Sequence, residues 1–176
     1  MKTWNFECKD GRSLFIRHAR LSDGRNMFDG FAEVVAEGKW LPTLEIKTSL
    51  SQWLDWIERS KDTDDVILVA LRDGHYVGHL TLRPERWDAS EHVCRLGIIV
   101  RKPYRNTGVG KALMTASEEA AHDAGFEKIV LSTLSNNNIA IALYRSMEYR
   151  EIGIRGNHFK MPEGYVDQVL FEKLLQ

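Results

Sequence analysis

The stretch Val100-Arg101-Lys102-Pro103-Tyr104-Arg105-Asn106-Thr107-Gly108-Val109-Gly110-Lys111-Ala112-Leu113 joins two apolar segments of different period. Upstream, residues 92–100 form a short apolar run of strand character that closes at Arg101-Lys102-Pro103. Downstream, Leu113, Met114, Ser117, Ala120, Ala121 and Ala124 recur at helical spacing, and Gly125 supplies a C-terminal stop. Residues 129–134 then read as another short strand. A strand, a helix and a strand in this order require a parallel pair, because a hairpin cannot close over a helix.

Working outward, the other elements are hairpins and short helices. Trp4–Cys8 and Ser13–His18 flank Asp10-Gly11, and Val66–Leu71 and Tyr76–Leu82 flank Asp73-Gly74, both strong turn pairs. Between these hairpins, Ser22 or Asp23 can cap a helix carrying Met27, Phe28, Phe31, Val34 and Val35. Ser49 or Ser51 can open a second helix over residues 50–59. After residue 134, Ile139–Met147 reads as a short helix following an asparagine run. Two last strands, around 149–159 and 165–174, flank Pro162-Glu163-Gly164. The order ββ, αα, βββ, α, β, α, ββ predicts an α/β (α+β) fold with a mixed, mostly antiparallel sheet and helices packed on it.

The 176 residues suit a single domain, 1–176, with a core of its own. A net charge of −1 argues against non-specific nucleic-acid binding. The start MKTWNFECKD has no signal-type apolar run and no later run is long enough to span a bilayer, so no membrane partner is expected. Cys8 and Cys94 are far apart and fit no metal spacing. They read as buried free thiols of a reducing compartment, and the cytoplasm is the expected location. His75 and His79 fall on a strand, where a spacing of four puts them ~13 Å apart. No metal is therefore expected. Trp53 and Trp56 read as packing residues. Glu33, Glu37 and Glu45 would attract a cationic amine, and a solvated helix face explains them as well.

The chemistry is carried by the turn from Arg105 to Lys111. Gly108 and Gly110 have no Cβ, so backbone N–H groups can approach an anion. The helix start adds free donors and positive potential, and Arg105 and Lys111 add formal charge. A pyrophosphate is the natural guest. A Walker A loop would need glycine at position 105 and Ser or Thr at position 112, where the chain has Arg105 and Ala112. The dinucleotide fingerprint would need a third glycine at Leu113. Arg-x-x-Gly-x-Gly remains.

Arg105–Gly110, followed by Lys111-Ala112-Leu113, resembles the pyrophosphate loop of the GNAT superfamily of N-acetyltransferases. Asn137-Asn138-Ile139-Ala140-Ile141-Ala142-Leu143-Tyr144 resembles the same family's Asn-x-x-Ala-x-x-Leu-Tyr segment. The likeness covers residues 65–175, and the earlier part agrees only in element order. It implies a GNAT-like acyl-CoA N-acyltransferase fold with a seven-stranded sheet, and acetyl-CoA as cosubstrate. By the same resemblance, backbone groups of Ile98 and Val100 would hold the pantetheine arm. A bulge there would splay the strand from residues 129–134. Arg105, Asn106, Thr107, Gly108, Val109, Gly110 and Lys111 would take the pyrophosphate, Asn137 would contact the pantetheine, and Tyr144 would sit beside the thioester sulfur.

A phenol (pKa ~10) is a weaker acid than a thiol (pKa ~8.5), so hydrogen bonding to the departing thiolate is favoured over full proton transfer from Tyr144. A base or water chain must take the amine's proton. Arg95 stands where many relatives carry a glutamate, which leaves Glu91 and His92 as the nearest candidates for that role, Glu91 first. Glu148-Tyr149 stands where the family usually has Gly-Phe, which makes the turn after the helix costlier.

The implied activity is acetyl transfer from acetyl-CoA to a primary amine of a small molecule, polyamine- or amino-acid-like, by direct attack in a ternary complex. A protein N-terminus or lysine is the alternative acceptor, and a non-catalytic CoA-binding sensor is the alternative of another class. The final strands of such folds often pair across subunits, so a homodimer is an expected partner state.

Overall fold

Local chemistry explains where each element begins. The computed structural model describes residues 2–175. Strands β1 (Thr3–Glu7) and β2 (Ser13–His18) meet at a tip where Gly11 takes φ 78°, the left-handed region that glycine enters without Cβ strain. Helix α1 (Gly24–Ala36) follows a buried ion pair in which Arg17 donates to both oxygens of Asp23, at 2.7 and 2.9 Å. Helix α2 (Leu50–Arg59) opens with a reciprocal cap: Ser49 Oγ accepts from the Gln52 amide and Gln52 Oε1 accepts from the Ser49 amide. The remaining elements are β3 (Val66–Arg72), β4 (His75–Pro84), β5 (Val93–Val100), α3 (Val109–Asp123), β6 (Lys128–Leu134), α4 (Asn138–Ser146), β7 (Arg150–Met161) and β8 (Gly164–Leu174).

The strands form one sheet in the order β1-β2-β3-β4-β5-β6-β8-β7. Every neighbouring pair is antiparallel except β5–β6, the pair that the helical crossover α3 forces to be parallel. Among the described residues the sheet has eight strands, not seven. Eight is the number in the element order read from the residues, and seven is what the resemblance implies; at one edge β1 pairs with β2 from Thr3↔Arg17 to Glu7↔Ser13 and buries Trp4. It covers an edge that β2 would otherwise expose.

Alternation along the strands sends two sets of side chains into two cores. Val66, Leu68 and Ala70 of β3 join the larger core with α3, while Ile67 and Val69 face Met27 and Ile57 of α1 and α2. In β4 the parity flips. Tyr76 lies on the α1/α2 side and Val77 on the α3 side, yet Leu80 and Leu82 are also on the α3 side. A register shift accounts for this, since Ala70 pairs with Gly78 and Leu71 with Tyr76, leaving Val77 as the extra residue of a bulge. The consequence is that His79 points to the α1/α2 face, against Trp53.

The feature that positions the site is a divergence in the middle of the sheet. β5 and β6 pair only at Val93↔Lys128, Cys94↔Ile129 and Arg95↔Val130. Beyond Arg95, β6 continues with β8 and β5 continues with β4, so the two strands part. The expected bulge in β5 is not the cause: its ladder with β4 runs without a register shift from Gly78↔Val100 to Pro84↔Cys94. Gly78 allows this close fit, because a Cβ there would lie 2.6 Å from the Ile99 carbonyl oxygen.

Candidate active site

The parted strands leave one edge of β5 without a neighbour, and its backbone direction can be read from two bonds. The Arg101 amide donates to Val77 on the β4 side, and the His92 carbonyl accepts from Glu127 and Lys128 on the β6 side. Backbone groups alternate along a strand, so Ile98 and Val100, of the same parity as His92, aim their N–H and C=O groups at the gap. The gap is a cleft of about 520 Å³ lined by Leu96–Val100 on one wall and Ser132–Leu134 on the other. Part of its polar rim is already used, since the Val100 carbonyl accepts from Arg105 Nε at 3.0 Å.

At the end of β5 the chain makes a single 3-10 turn at Lys102–Tyr104 and then passes through two left-handed residues, Asn106 (φ 63°) and Gly108 (φ 102°), into α3. Among the described residues, no acceptor takes the amide hydrogens of Asn106, Thr107, Gly108, Val109, Gly110 or Lys111. These are the orphan donors of a helix start, and the helix dipole adds positive potential to them. The loop is anchored from below. Thr107 Oγ1 donates to the Tyr104 carbonyl, and the Thr107 carbonyl accepts from the Lys9 amide in the β1–β2 turn. Lys9 thereby lines the cleft beside Lys111. Its place was not legible from the sequence, because the contact spans about a hundred residues.

Arg105 lines the cleft, but its charge is committed elsewhere. Its guanidinium forms a two-pronged pair with Glu37 at 2.8 and 2.5 Å and lies 5.2 Å from the Trp40 ring centroid. Glu37 also accepts from Trp40 Nε1 at 2.6 Å. The Arg105 hydrogen bonds, reinforced by Trp40, bring the Glu37 carboxyl down to about 2 despite its partial burial. The clamp holds Trp40, Leu41 and Pro42 against the cleft. Glu33 is likewise paired, with Arg101. Neither acid is therefore a free lure for an amine.

The far wall is α4. Asn137 is its N-cap and accepts from the Ala140 amide at 3.2 Å while lining the cleft. Two turns on, Tyr144 lines the cleft with its ring packed on Phe171 and Tyr149. Burial pushes its hydroxyl up to about 12, so it is a stronger case of the phenol that donates without ionising. The helix ends in a Schellman turn: the Tyr149 amide donates to Tyr144, and the Glu148 amide to Arg145. Glu148 sits there at φ 64°, a position suited to glycine.

Of the residues singled out from sequence, Ile98, Val100, Arg105, Asn106, Gly108, Gly110, Lys111, Asn137 and Tyr144 line the cleft. Thr107 and Val109 offer backbone only: the Thr107 side chain caps the 3-10 turn and Val109 is buried in the core. Glu91 and His92 are exposed at the opposite end of β5 and line no part of the cleft. The strand residues Val93–Leu96 separate them from Gly97. Cys94 is buried in the core with its thiol pushed up to about 12 by desolvation, and it too lines no part of the cleft.

A second cavity, of about 460 Å³, lies on the α1/α2 side of the same strand and shares Leu41, Gly97, Ile98 and Ile99 with the cleft. Its walls include Trp53, Trp56, His79 and Arg83. The sequence contained these residues without marking them as a group, because the β4 bulge decides that His79 and Arg83 share a face with the two tryptophans of α2.

Residues 33–149 match the acetyltransferase (GNAT) family. The chain belongs to that family. It is an acetyl-CoA-dependent N-acetyltransferase. Among curated relatives, it is 30% identical over 158 residues to the L-amino acid N-acetyltransferase AaaT of Escherichia coli (strain K12), covering 88% of this chain and 93% of that protein. It is 26% identical over 165 residues to an N-alpha-acetyltransferase of Sulfurisphaera tokodaii, covering 87% and 90%. Among solved structures, the putative acetyltransferase yncA of Salmonella typhimurium, determined with its cofactor acetyl-CoA, superposes with a TM-score of 0.86 at 17% identity, over 93% and 94% of the two chains. That likeness is one of fold. Among the described residues, the cleft of this acetyltransferase brings an unpaired strand edge beside a cluster of amides without acceptors.

Proposed function

We propose that this acetyltransferase transfers the acetyl group of acetyl-CoA to the primary amine of a small molecule by direct attack. The observation that carries the reading is the juxtaposition of two unsatisfied backbone surfaces, the edge of β5 at Ile98 and Val100 and the amides from Asn106 to Lys111. An extended amide-bearing arm suits the first and a diphosphate suits the second. Lys9 and Lys111 supply the charge that Arg105 gives to Glu37.

In the reaction, the amine nitrogen attacks the thioester carbonyl carbon, the N–C bond forms and the C–S bond breaks, releasing the coenzyme thiol. A backbone N–H of the β5 edge meets the oxyanion. The Tyr144 hydroxyl donates to the departing sulfur and keeps its own proton. No covalent enzyme intermediate is needed, and the desolvated Cys94 thiol is a poor nucleophile for one. The amine's proton passes to solvent at the cleft mouth. Glu91 is too distant to receive it, and His79, held neutral by burial with its pKa near 3, is too weak a base.

The relative that acts on L-amino acids supports a small acceptor, and the N-alpha-acetyltransferase relative favours a protein N-terminus as the second reading. The test is release of free thiol from acetyl-CoA in the presence of amino acids, polyamines and peptides with free N-termini. Turnover with a small amine and none with peptides is the expected result. Coenzyme binding without turnover on any amine would leave only the sensor alternative.

A further inference from the structure

We propose that the second cavity is the acceptor site and that it takes an α-amino acid with a large apolar side chain, whose carboxylate is held by Arg83. The proposal rests on the acetyltransferase reading above and names the acceptor class within it. Location is the first argument. Leu41, Gly97, Ile98 and Ile99 line both cavities, so a thioester laid along the edge of β5 is met from the other side by whatever the second cavity holds.

Charge is the second argument, and it separates amino acids from polyamines. The ionisable residues lining the cavity are Glu45, Lys47, His79 and Arg83. With His79 neutral, one acid stands against two cations. The neighbouring acids Glu33 and Glu37 are neutralised by Arg101 and Arg105. A polyamine would bring several positive charges into a net positive pocket, whereas a carboxylate meets a matching field.

Arg83 is suited to that carboxylate. Its guanidinium lies 4.4 Å from the Trp56 ring centroid, and among the described residues no carboxylate pairs with it. The nearest cross-strand cation, Arg95, is taken by Glu85 at 2.6 Å. The contact with the Trp56 ring uses none of its N–H donors, which leaves them for a bidentate partner.

Apolar shape is the third argument. Phe31, Trp53 and Trp56 form a connected aromatic wall, with Trp53 centred 5.3 Å from Phe31 and 5.7 Å from Trp56. His79 packs edge-on against Trp53 and is tied to the Tyr76 hydroxyl at 2.6 Å, so the floor is rigid. A large apolar side chain fits such a wall better than a flexible polar chain does.

The test is initial-rate kinetics at saturating acetyl-CoA with L-phenylalanine, phenethylamine, spermidine and a short peptide with a free N-terminus. Phenethylamine is phenylalanine without its carboxylate. Phenylalanine should exceed the other three by at least about tenfold in kcat/KM. Arg83→Gln should erase its advantage over phenethylamine by raising the phenylalanine KM roughly 10–100-fold, with the acetyl-CoA KM unchanged. Arg83→Lys should restore part of it. Melting temperatures near wild type for both variants exclude misfolding as the cause. Equal rates for phenylalanine and phenethylamine, or an unchanged ratio in Arg83→Gln, would overturn the proposal. Acetylation of spermidine or the peptide but not of phenylalanine would refute the acceptor class and leave the acetyltransferase reading standing. A folded protein that binds no coenzyme A and acetylates no amine would refute both.

Discussion

Tyr144 and Glu148 show how single residues divide between chemistry and folding cost. The Tyr144 hydroxyl has no hydrogen-bond partner among the described residues, so Tyr144→Phe should leave stability within about 0.5 kcal/mol of wild type. Its loss should lower kcat by roughly 10–100-fold if it serves the departing thiolate, and steady-state rates check this. With Tyr144 raised to about 12 and His79 lowered to about 3, neither group ionises between pH 6 and 9. In that range kcat/KM should rise with pH as the acceptor amine loses its proton, and a profile that falls would require an ionising protein group. Glu148 is a cost, because a side chain at φ 64° is strained. Glu148→Gly should raise stability by about 1 kcal/mol, seen as a melting temperature higher by roughly 2–4 °C. The sequence already marked both residues, Tyr144 by its motif and Glu148 by standing where glycine is usual. It could not show that the charge of Arg105 is claimed by Glu37, because that partner lies sixty-eight positions away, just past the end of α1.

At the scale of elements, the start of α3 has two glycines with different duties. Gly108 holds φ 102°, which only glycine enters freely, and it orients the amides of the loop. Gly110 is helical, and a Cβ there would meet the end of the Leu143 side chain at 3.2 Å and Val100 Cγ2 at 4.0 Å. Gly108→Ala should therefore cost about 1–2 kcal/mol of stability and weaken coenzyme binding tenfold or more, while Gly110→Ala should change stability by less than about 1 kcal/mol. Thermal melts and coenzyme titrations of the pair check the contrast. The elements themselves were largely legible, because Asp-Gly turns, a serine (Ser49 or Ser51) opening the second helix and the change of period after Gly110 are local signals. The bulge at Val77 and the uninterrupted β4–β5 ladder were not, since both depend on which strand each residue meets. That is why Arg83 escaped notice and why Trp53 and Trp56, read as packing residues, were not linked to it.

Across the whole molecule, the clamp of Glu37, Trp40 and Arg105 joins the α1–α2 loop to the turn that opens α3. Because the Glu37 carboxyl is held below its unfolded value, its contribution is present above pH ~4.5 and fades as the pH falls toward 2. Glu37→Gln should lower stability at neutral pH by about 2 kcal/mol by leaving Arg105 half-buried and unpaired. The difference from wild type should shrink on acidification, which denaturant melts at pH 7 and pH 3 would show. A constant difference would mean that the pair contributes through packing alone.

The central claim is that the amides from Asn106 to Lys111 receive the diphosphate of coenzyme A. Calorimetric titration of the folded protein with coenzyme A and, separately, with pantetheine, which keeps the arm and lacks the diphosphate, tests it directly. The account predicts saturable binding of coenzyme A and an affinity for pantetheine at least about 100-fold weaker. Equal affinities, or no heat with coenzyme A at millimolar concentration, would contradict it.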